Sequence, residues 1–556
     1  MENIEFYQVS SLEKVYLDYT LPETEYTSMS AMRNERVSYQ IAYKGTERGM
    51  RRDMKIAIDS PLKQYITVRR VGNVPTERPL RFEADEHYER YLPGLFPDVL
   101  YPIEDDTVEI LCGSIYSLWI TVDLDGSVEG GIYPIDITFS DEQGSETKRM
   151  ELDVIPALLP PQKLIFTQWF HADCIADYYK IPVFGEKHWE LIDKFMGLAA
   201  KNGINMILTP VFTPALDTMV GGERTTVQLV GIEKKADKYS FDFEKLHRWI
   251  TLCKKNGMQY YEIVPLFTQW GAEFTPKIMV TEDGVEKRLF GWDVEALSSE
   301  YRNFLGQFLP ALTAELQKAG VDKNTYFHIS DEPHGEAHRE QYRKLKEMVG
   351  AYLKGFTVID ALSDYEFYEQ GIVEHPVPAS NYIEPFIENN VPNLWAYYCG
   401  SQQTEVSNRF MAMPSYRNRV IGLQFYKFDI KGFLHWGYNF YSSALSKKKI
   451  NPFLVTDCIN TYPAGDAFSV YPYEDGPIES LRIVVFHDAL QDLRALELLE
   501  SFIGKEKVVE LIEKEAGMEI RFSQYPHNSQ FLLLLRSKIN AEIKRLVNTM
   551  PVGDTV

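Results

Sequence analysis

The sequence predicts an α/β protein: a (β/α)8 TIM-type barrel preceded by an N-terminal β-sandwich and followed by a C-terminal helical segment. Three observations carry this reading. Short runs of alternating apolar and polar residues fill residues 1–155. From about residue 160, β-runs alternate with helical patterns that close on glycine, and the succession yields eight strands. Beyond residue 461, apolar residues recur at helical spacing. A chain of 556 residues is too long for one ordinary core, and these changes of rhythm divide it into 1–155, 160–460 and 461–556.

In the first region the runs are RVSYQIAYKG, KQYITVRRVG, TVEILCG, LWITVDLDG and YPIDITFSD, punctuated by Gly, Asp and Pro at sandwich spacing. The segment VIPALLPPQ (154–162), with Pro156, Pro160 and Pro161, reads as a linker. KLIFTQWF is then the first barrel strand, and HWELIDKFMGLAAKNG the helix that follows, ending on Gly203. INMILTPVF is the second strand; after a long loop, FEKLHRWITLCKKNG repeats the helix. YYEIVPLF, a loop and the helix YRNFLGQFLPALTAELQKAG lead to the fourth strand, TYFHIS. Each terminal glycine is the expected C-cap. KGFTVID, VPASNYI, NLWAYYC and GFLHWGYNF read as strands five to eight. The stretch carrying Arg409, Arg417 and Arg419 must hold the helix before strand eight. Eight such units in about 300 residues fit a TIM barrel. The tail SLRIVVFHDALQDLRALELLESFIG reads as helix.

Composition narrows the function. Eighty acids against 58 bases leave a net charge of −22, a field that repels phosphate backbones and argues against a nucleic-acid partner. The five cysteines (Cys112, Cys174, Cys253, Cys399, Cys458) are scattered and without CxxC spacing, as reduced thiols of a cytosolic protein would be. The start, MENIEFYQVSSLEKVY, lacks the basic-then-apolar pattern of a secretory leader. No run approaches the roughly 18 apolar residues of a membrane span. The expectation is a soluble, cytoplasmic protein. No cofactor motif or metal-ligand spacing stands out; the short-spaced pairs His171/Asp173 and His334/His338 are explained by polar surface residues.

The motif that carries chemistry is HISDEP, His328 to Pro333. In a TIM barrel the active site lies at the C-terminal ends of the strands. Asp331 and Glu332 occupy that position on strand four, and Pro333 stops the strand. The other loops of the same face bring rings, hydroxyls and acids. Trp169 and His171 follow strand one, Asp217 and Arg224 strand two, and Trp270 strand three. Tyr382 follows strand six, Tyr397 lies near the end of strand seven, and Trp436 and Asn439 near that of strand eight. Apolar platforms combined with polar groups that fix hydroxyls are what a carbohydrate pocket needs. These residues, with His328, are the candidate sugar-binding set.

A retaining glycosidase of the usual kind needs two carboxyl groups about 5–5.5 Å apart across the scissile bond, and an inverting one about 6.5–9.5 Å. Neighbouring residues have Cα atoms about 3.8 Å apart and side chains that diverge, so Asp331 and Glu332 are poorly placed to flank one bond. Strand seven, NLWAYYCGSQ, holds no acid; Glu384, after strand six, is the nearby substitute. A third route uses the substrate's own 2-acetamido oxygen as nucleophile. One Asp then orients the acetamido N–H while the adjacent Glu protonates the leaving oxygen. Glu332 would need a raised pKa for this, and an ionised Asp331 beside it pushes that way.

HISDEP, FTQWGAEF, GFLHWGYNFY and GDAFSVYPYEDGPIESLR…DALQDLRAL resemble glycoside hydrolase family 123 and its relatives carrying the domain-of-unknown-function 4091 module, from about Trp169 to about Leu499. The resemblance implies a retaining exo-β-N-acetylgalactosaminidase working by substrate assistance. Glu332 takes the acid/base role, Asp331 orients the acetamido group, and the TQWFHAD and GFLHWGYNFY residues line the sugar site. The substrate implied is terminal N-acetylgalactosamine of an oligosaccharide or glycolipid. Where that family pattern leads to a Gly-Glu-Asp-like run, this chain has Asp488, Ala489 and Asp492. Two other readings stand beside this one: a glycosidase for a sugar lacking the acetamido group, using Glu332 with a carboxylate such as Glu384, and a catalytically silent carbohydrate-binding barrel.

Overall fold

The computed structural model describes residues 3–82 and 84–549. The chain divides into two compact units that interleave along the sequence. The first comprises Met1–Gln162, Thr404–Lys427 and Ile478–Val556; the second comprises Lys163–Gln403 and Phe428–Pro477.

In the first unit, two five-stranded sheets share one apolar core. One sheet orders Ile4–Ser10, Arg36–Gly45, Tyr116–Asp123, Ile66–Thr76 and Gly94–Pro102; the other orders Ser28–Met32, Gly144–Ile155, Gly131–Asp141, Arg51–Asp59 and Thr107–Leu111. The period-2 pattern decides which side chains meet. Met54 and Ile56 alternate with exposed neighbours on Arg51–Asp59, and join Tyr39, Ile41, Leu118, Ile120 and Phe139 in the core. Helices Ser415–Arg419, Ile421–Lys427 and Leu481–Ile503 complete this unit together with Lys505–Ala516 and Ser529–Thr549. Gly422 lets two of these helices touch, since a Cβ there would stand 2.2 Å from the Ala489 carbonyl oxygen. Beside this contact runs a buried ion network: Arg419 grips Asp492 at 2.7 and 2.9 Å, and Arg536 reaches Asp492 and Glu35 at 2.7 Å.

The second unit is built on an eight-stranded sheet in which every pair is parallel. In chain order the strands are Ile165–Gln168, Met206–Thr209, Tyr260–Ile263, Thr325–Phe327, Thr357–Leu362, His375–Pro378, Trp395–Tyr397 and Gly432–His435. They neighbour one another in that order around the sheet, and an Ala379↔Tyr397 bridge joins the sixth to the seventh. The glycine signals hold: Gly203, Gly257 and Gly320, just beyond helices Glu186–Lys201, Glu244–Lys255 and Ser299–Lys318, all take positive φ.

Two expectations are corrected. The sixth strand is His375–Pro378, earlier than VPASNYI, because the Tyr382 N–H turns back to the Ala379 carbonyl at 2.8 Å and helix Glu384–Glu388 follows. The long segments after strands two and three are more than loops. They form hairpins Gly231–Lys235/Lys238–Asp242 and Ile278–Glu282/Val285–Phe290, paired through Glu233↔Thr281 into a four-stranded sheet. Their largely exposed, charge-rich faces gave no apolar alternation to read.

Candidate active site

The site is built upward from a polar floor inside the barrel. Glu262, mid-strand on the third strand, is fully buried and accepts from Thr167 Oγ1 at 2.6 Å, Trp169 Nε1 at 2.7 Å and His328 Nε2 at 2.6 Å. His328 Nδ1 meets Asp360 of the fifth strand at 3.2 Å. Asp360 in turn accepts from the backbone N–H groups of Ile329 and Ser330 and from the Tyr342 hydroxyl. Burial alone would lower the pKa of His328, yet hydrogen bonds to Asp360 and Glu262 carry it up to about 10, so it stands as an imidazolium between two carboxylates. This clamp fixes the backbone that leads directly into Asp331.

A second buried knot lies at the first and eighth strands. Arg224 holds Asp173 through two bonds of 2.8 and 2.7 Å and donates to His171 Nδ1 at 3.0 Å. His171 Nε2 lies 2.9 Å from the Trp436 carbonyl, and Asn439 bonds both the N–H and C=O of His171. Burial and the neighbouring guanidinium push His171 down to about 3, which makes it neutral with its proton on Nε2. Asp217 anchors the rim: its carboxylate accepts from Tyr462 Oη at 2.6 Å and the Leu445 N–H at 3.0 Å.

Above these floors sit Asp331 and Glu332, both half-buried. Glu332 takes a left-handed φ of +47°, a conformation that costs a non-glycine residue on the order of 1–3 kcal/mol and clusters at functional sites. It is held there by its N–H to the Ala361 carbonyl at 3.1 Å. Its Oε1 accepts from Tyr397 Oη at 2.8 Å. Among the described residues the Asp331 carboxylate accepts no hydrogen bond, while its backbone carbonyl takes the Trp270 N–H at 3.0 Å. Burial first, and the Glu332 carboxylate second, push Asp331 well above the ordinary carboxylate range.

The sequence-derived residues therefore separate by depth. Trp270 and Tyr382 are 43% and 54% exposed, and Trp436 is half-buried with its Nε1 on Asp466 at 3.1 Å. Tyr397 touches Glu332 directly. Trp169, His171, Arg224, His328 and Asn439 are buried and committed to protein partners. Glu384 opens helix Glu384–Glu388. Sequence reasoning passed over Glu262, Asp360, Tyr462 and Asp466. A carboxylate inside an apolar β-run, as in YYEI or TVIDAL, was the available signal for the first two, because buried strands rarely carry one without a task. Among the described residues no group of three or more His, Cys, Asp or Glu is arranged to hold a metal ion, and no helix is long and apolar enough to cross a membrane.

Residues 169–499, more than half of the chain, match the family model of the glycoside hydrolase 123 catalytic domain. Among solved structures, the chain is similar to a family 123 glycoside hydrolase from Clostridium perfringens studied for glycolipid glycan hydrolysis. The two share 15% identity over 98% of this chain and 97% of that one, with a TM-score of 0.71, a likeness of fold. A β-glucuronidase from Parabacteroides merdae aligns over 87% of this chain and 52% of its own at 12% identity; its TM-score of 0.32 carries no argument. No curated protein matches.

Proposed function

The chain belongs to glycoside hydrolase family 123 and is a glycoside hydrolase; from that premise we propose that it is a retaining exo-β-N-acetylgalactosaminidase acting by substrate assistance. The observation that carries the mechanism is the phenol opposite Glu332. Where a partner carboxylate on strand seven would supply the nucleophile, Tyr397 donates to Glu332 Oε1 at 2.8 Å. The acids nearby are already engaged: Glu262 and Asp360 by His328, Asp173 by Arg224, Asp217 by Tyr462. Asp331 alone of these has a carboxylate without a hydrogen-bond donor, ready for one from the substrate.

In this reading Asp331 accepts the acetamido N–H and the acetamido oxygen attacks the anomeric carbon. Glu332 gives its proton to the glycosidic oxygen as that bond breaks, leaving an oxazolinium ion. Glu332, now a carboxylate, takes a proton from water, which opens the ring at the anomeric carbon with net retention. Trp270, Tyr382 and Trp436 contact the sugar or its aglycone; Trp169, His171, Arg224, His328 and Asn439 position the groups that do. N-acetylgalactosamine at the end of an oligosaccharide or glycolipid is the substrate this family membership favours.

A panel of aryl β-glycosides of N-acetylgalactosamine, N-acetylglucosamine, galactose and glucose tests the proposal. Release is expected from the N-acetylated sugars, fastest from the galacto-configured one. Fast release from plain galactoside would rule out substrate assistance and favour a second carboxylate such as Glu384, and no release from any would favour a binding barrel. Tyr397→Phe is expected to lower kcat about 10- to 100-fold with KM little changed, since a hydrogen bond to an ionisable carboxyl is worth roughly 1.5–3 kcal/mol. An unchanged kcat would remove Tyr397 from the positioning role.

A further inference from the structure

The first unit contains a pocket that the glycosidase chemistry leaves unused, bounded by the ion network around Arg419 and Arg536. Its volume of about 680 Å³ falls in the range of small-molecule sites. Three polar groups face it with hydrogen-bonding capacity to spare. Asp488, 5% exposed on helix Leu481–Ile503, accepts no hydrogen bond among the described residues. Arg419 spends its Nε and Nη2 on Asp492, but its Nη1 only approaches Asp488, at 3.9 Å. The Tyr26 hydroxyl, which feels the charges of both, has no hydrogen-bond partner among the described residues. A buried carboxylate is paired with a donor in the great majority of cases, so Asp488, facing this cavity beside a spare guanidinium N–H and a half-buried hydroxyl, calls for a ligand that pairs it. Burial, the largest influence, pushes Asp488 up to about 7, as expected of a carboxylate left without donors.

From this geometry we propose that the pocket is a second carbohydrate-binding site, which takes a neutral hexopyranoside through Asp488, Arg419 and Tyr26. A carboxylate acceptor and a guanidinium donor 3.9 Å apart suit two adjacent hydroxyls, one donating to Asp488 and the other accepting from Arg419. The mixed charge argues against ionic ligands. Acids (Glu35, Asp153, Asp488) and bases (Arg419, Arg536, Lys544, Arg545) line the cavity together, so an ion of either sign meets like charge there. Val37, Ile155, Leu533 and Leu534 supply an apolar wall for the C–H face of a sugar ring. The proposal goes beyond the glycosidase reading and does not depend on which glycoside the barrel cleaves.

Ligand-observed NMR titration of the full chain tests it, using the methyl β-glycosides of galactose, glucose and mannose. The proteins compared are wild type, Asp488→Ala, and Ser537→Trp, whose exposed position on Ser529–Thr549 puts a ring into the pocket. At least one glycoside is expected to show a binding component in wild type that weakens at least tenfold in both variants, while any barrel binding stays common to all three. Superimposable titrations for every glycoside would overturn the proposal. So would putrescine or inorganic phosphate binding in wild type and not in the variants, which would make the site ionic. A Ser537→Trp protein with unchanged circular dichroism keeps the comparison valid if Asp488→Ala fails to fold.

Discussion

Glu332→Gln is expected to lower kcat/KM by about 1,000-fold on an N-acetylgalactosaminide with an alkyl aglycone, within the usual range for losing a general acid and equivalent to roughly 4 kcal/mol of transition-state stabilisation. An amide fills the same space and still accepts from Tyr397, so the local structure survives while the transferable proton is lost. The loss should depend on the leaving group. A dinitrophenyl aglycone departs without protonation, so its first step is expected to keep most of its rate, and deglycosylation then limits turnover. Kinetics on the two aglycones in parallel separate this from damage to folding, which would depress both alike. Equal losses on both, or full activity on the alkyl glycoside, would move the acid role away from Glu332.

Much of the barrel was legible because its signals are local. A glycine after a helix, a β-run a few residues on and a proline after an acidic pair are short-range facts, and all eight β-runs fall on or beside observed strands. What the sequence hid was depth. His328 and Trp270 look equally available in the chain, yet one is locked between Glu262 and Asp360 and the other is 43% exposed. Which of two polar residues meets solvent depends on partners 30 or more positions away: Asp360 for His328, Arg224 for Asp173. The interleaving of the two units was hidden for the same reason. Arg419 reads as one more basic residue until Asp492 is brought against it. The adjacency of Asp331 and Glu332 was the exception, a functional signal confined to two positions.

Asp331→Asn is the sharper test of substrate assistance, because a two-carboxylate mechanism using Glu332 and a distant nucleophile has no need of this charge. A carboxylate opposes the positive charge that develops as the acetamido group closes on the anomeric carbon; a neutral amide opposes it far less. By analogy with removal of a single preorganised stabiliser, a loss of about 100- to 1,000-fold is expected. It should fall on kcat and leave KM largely intact, since the interaction strengthens only in the transition state. The pH profile adds an independent readout. In the wild type, burial first and the Glu332 carboxylate second push Asp331 well above the ordinary carboxylate range. Activity that needs the Asp331 carboxylate is present above that titration and falls as pH drops through it. With an amide at this position, the acid limb contributed by Asp331 is expected to disappear. Inhibition by a thiazoline mimic of the oxazolinium ion should weaken in parallel, because it presents the same ring nitrogen to Asp331. Near-wild-type kcat, or an unmoved acid limb with undiminished thiazoline binding, would show that the adjacent acids do not divide the work in this way.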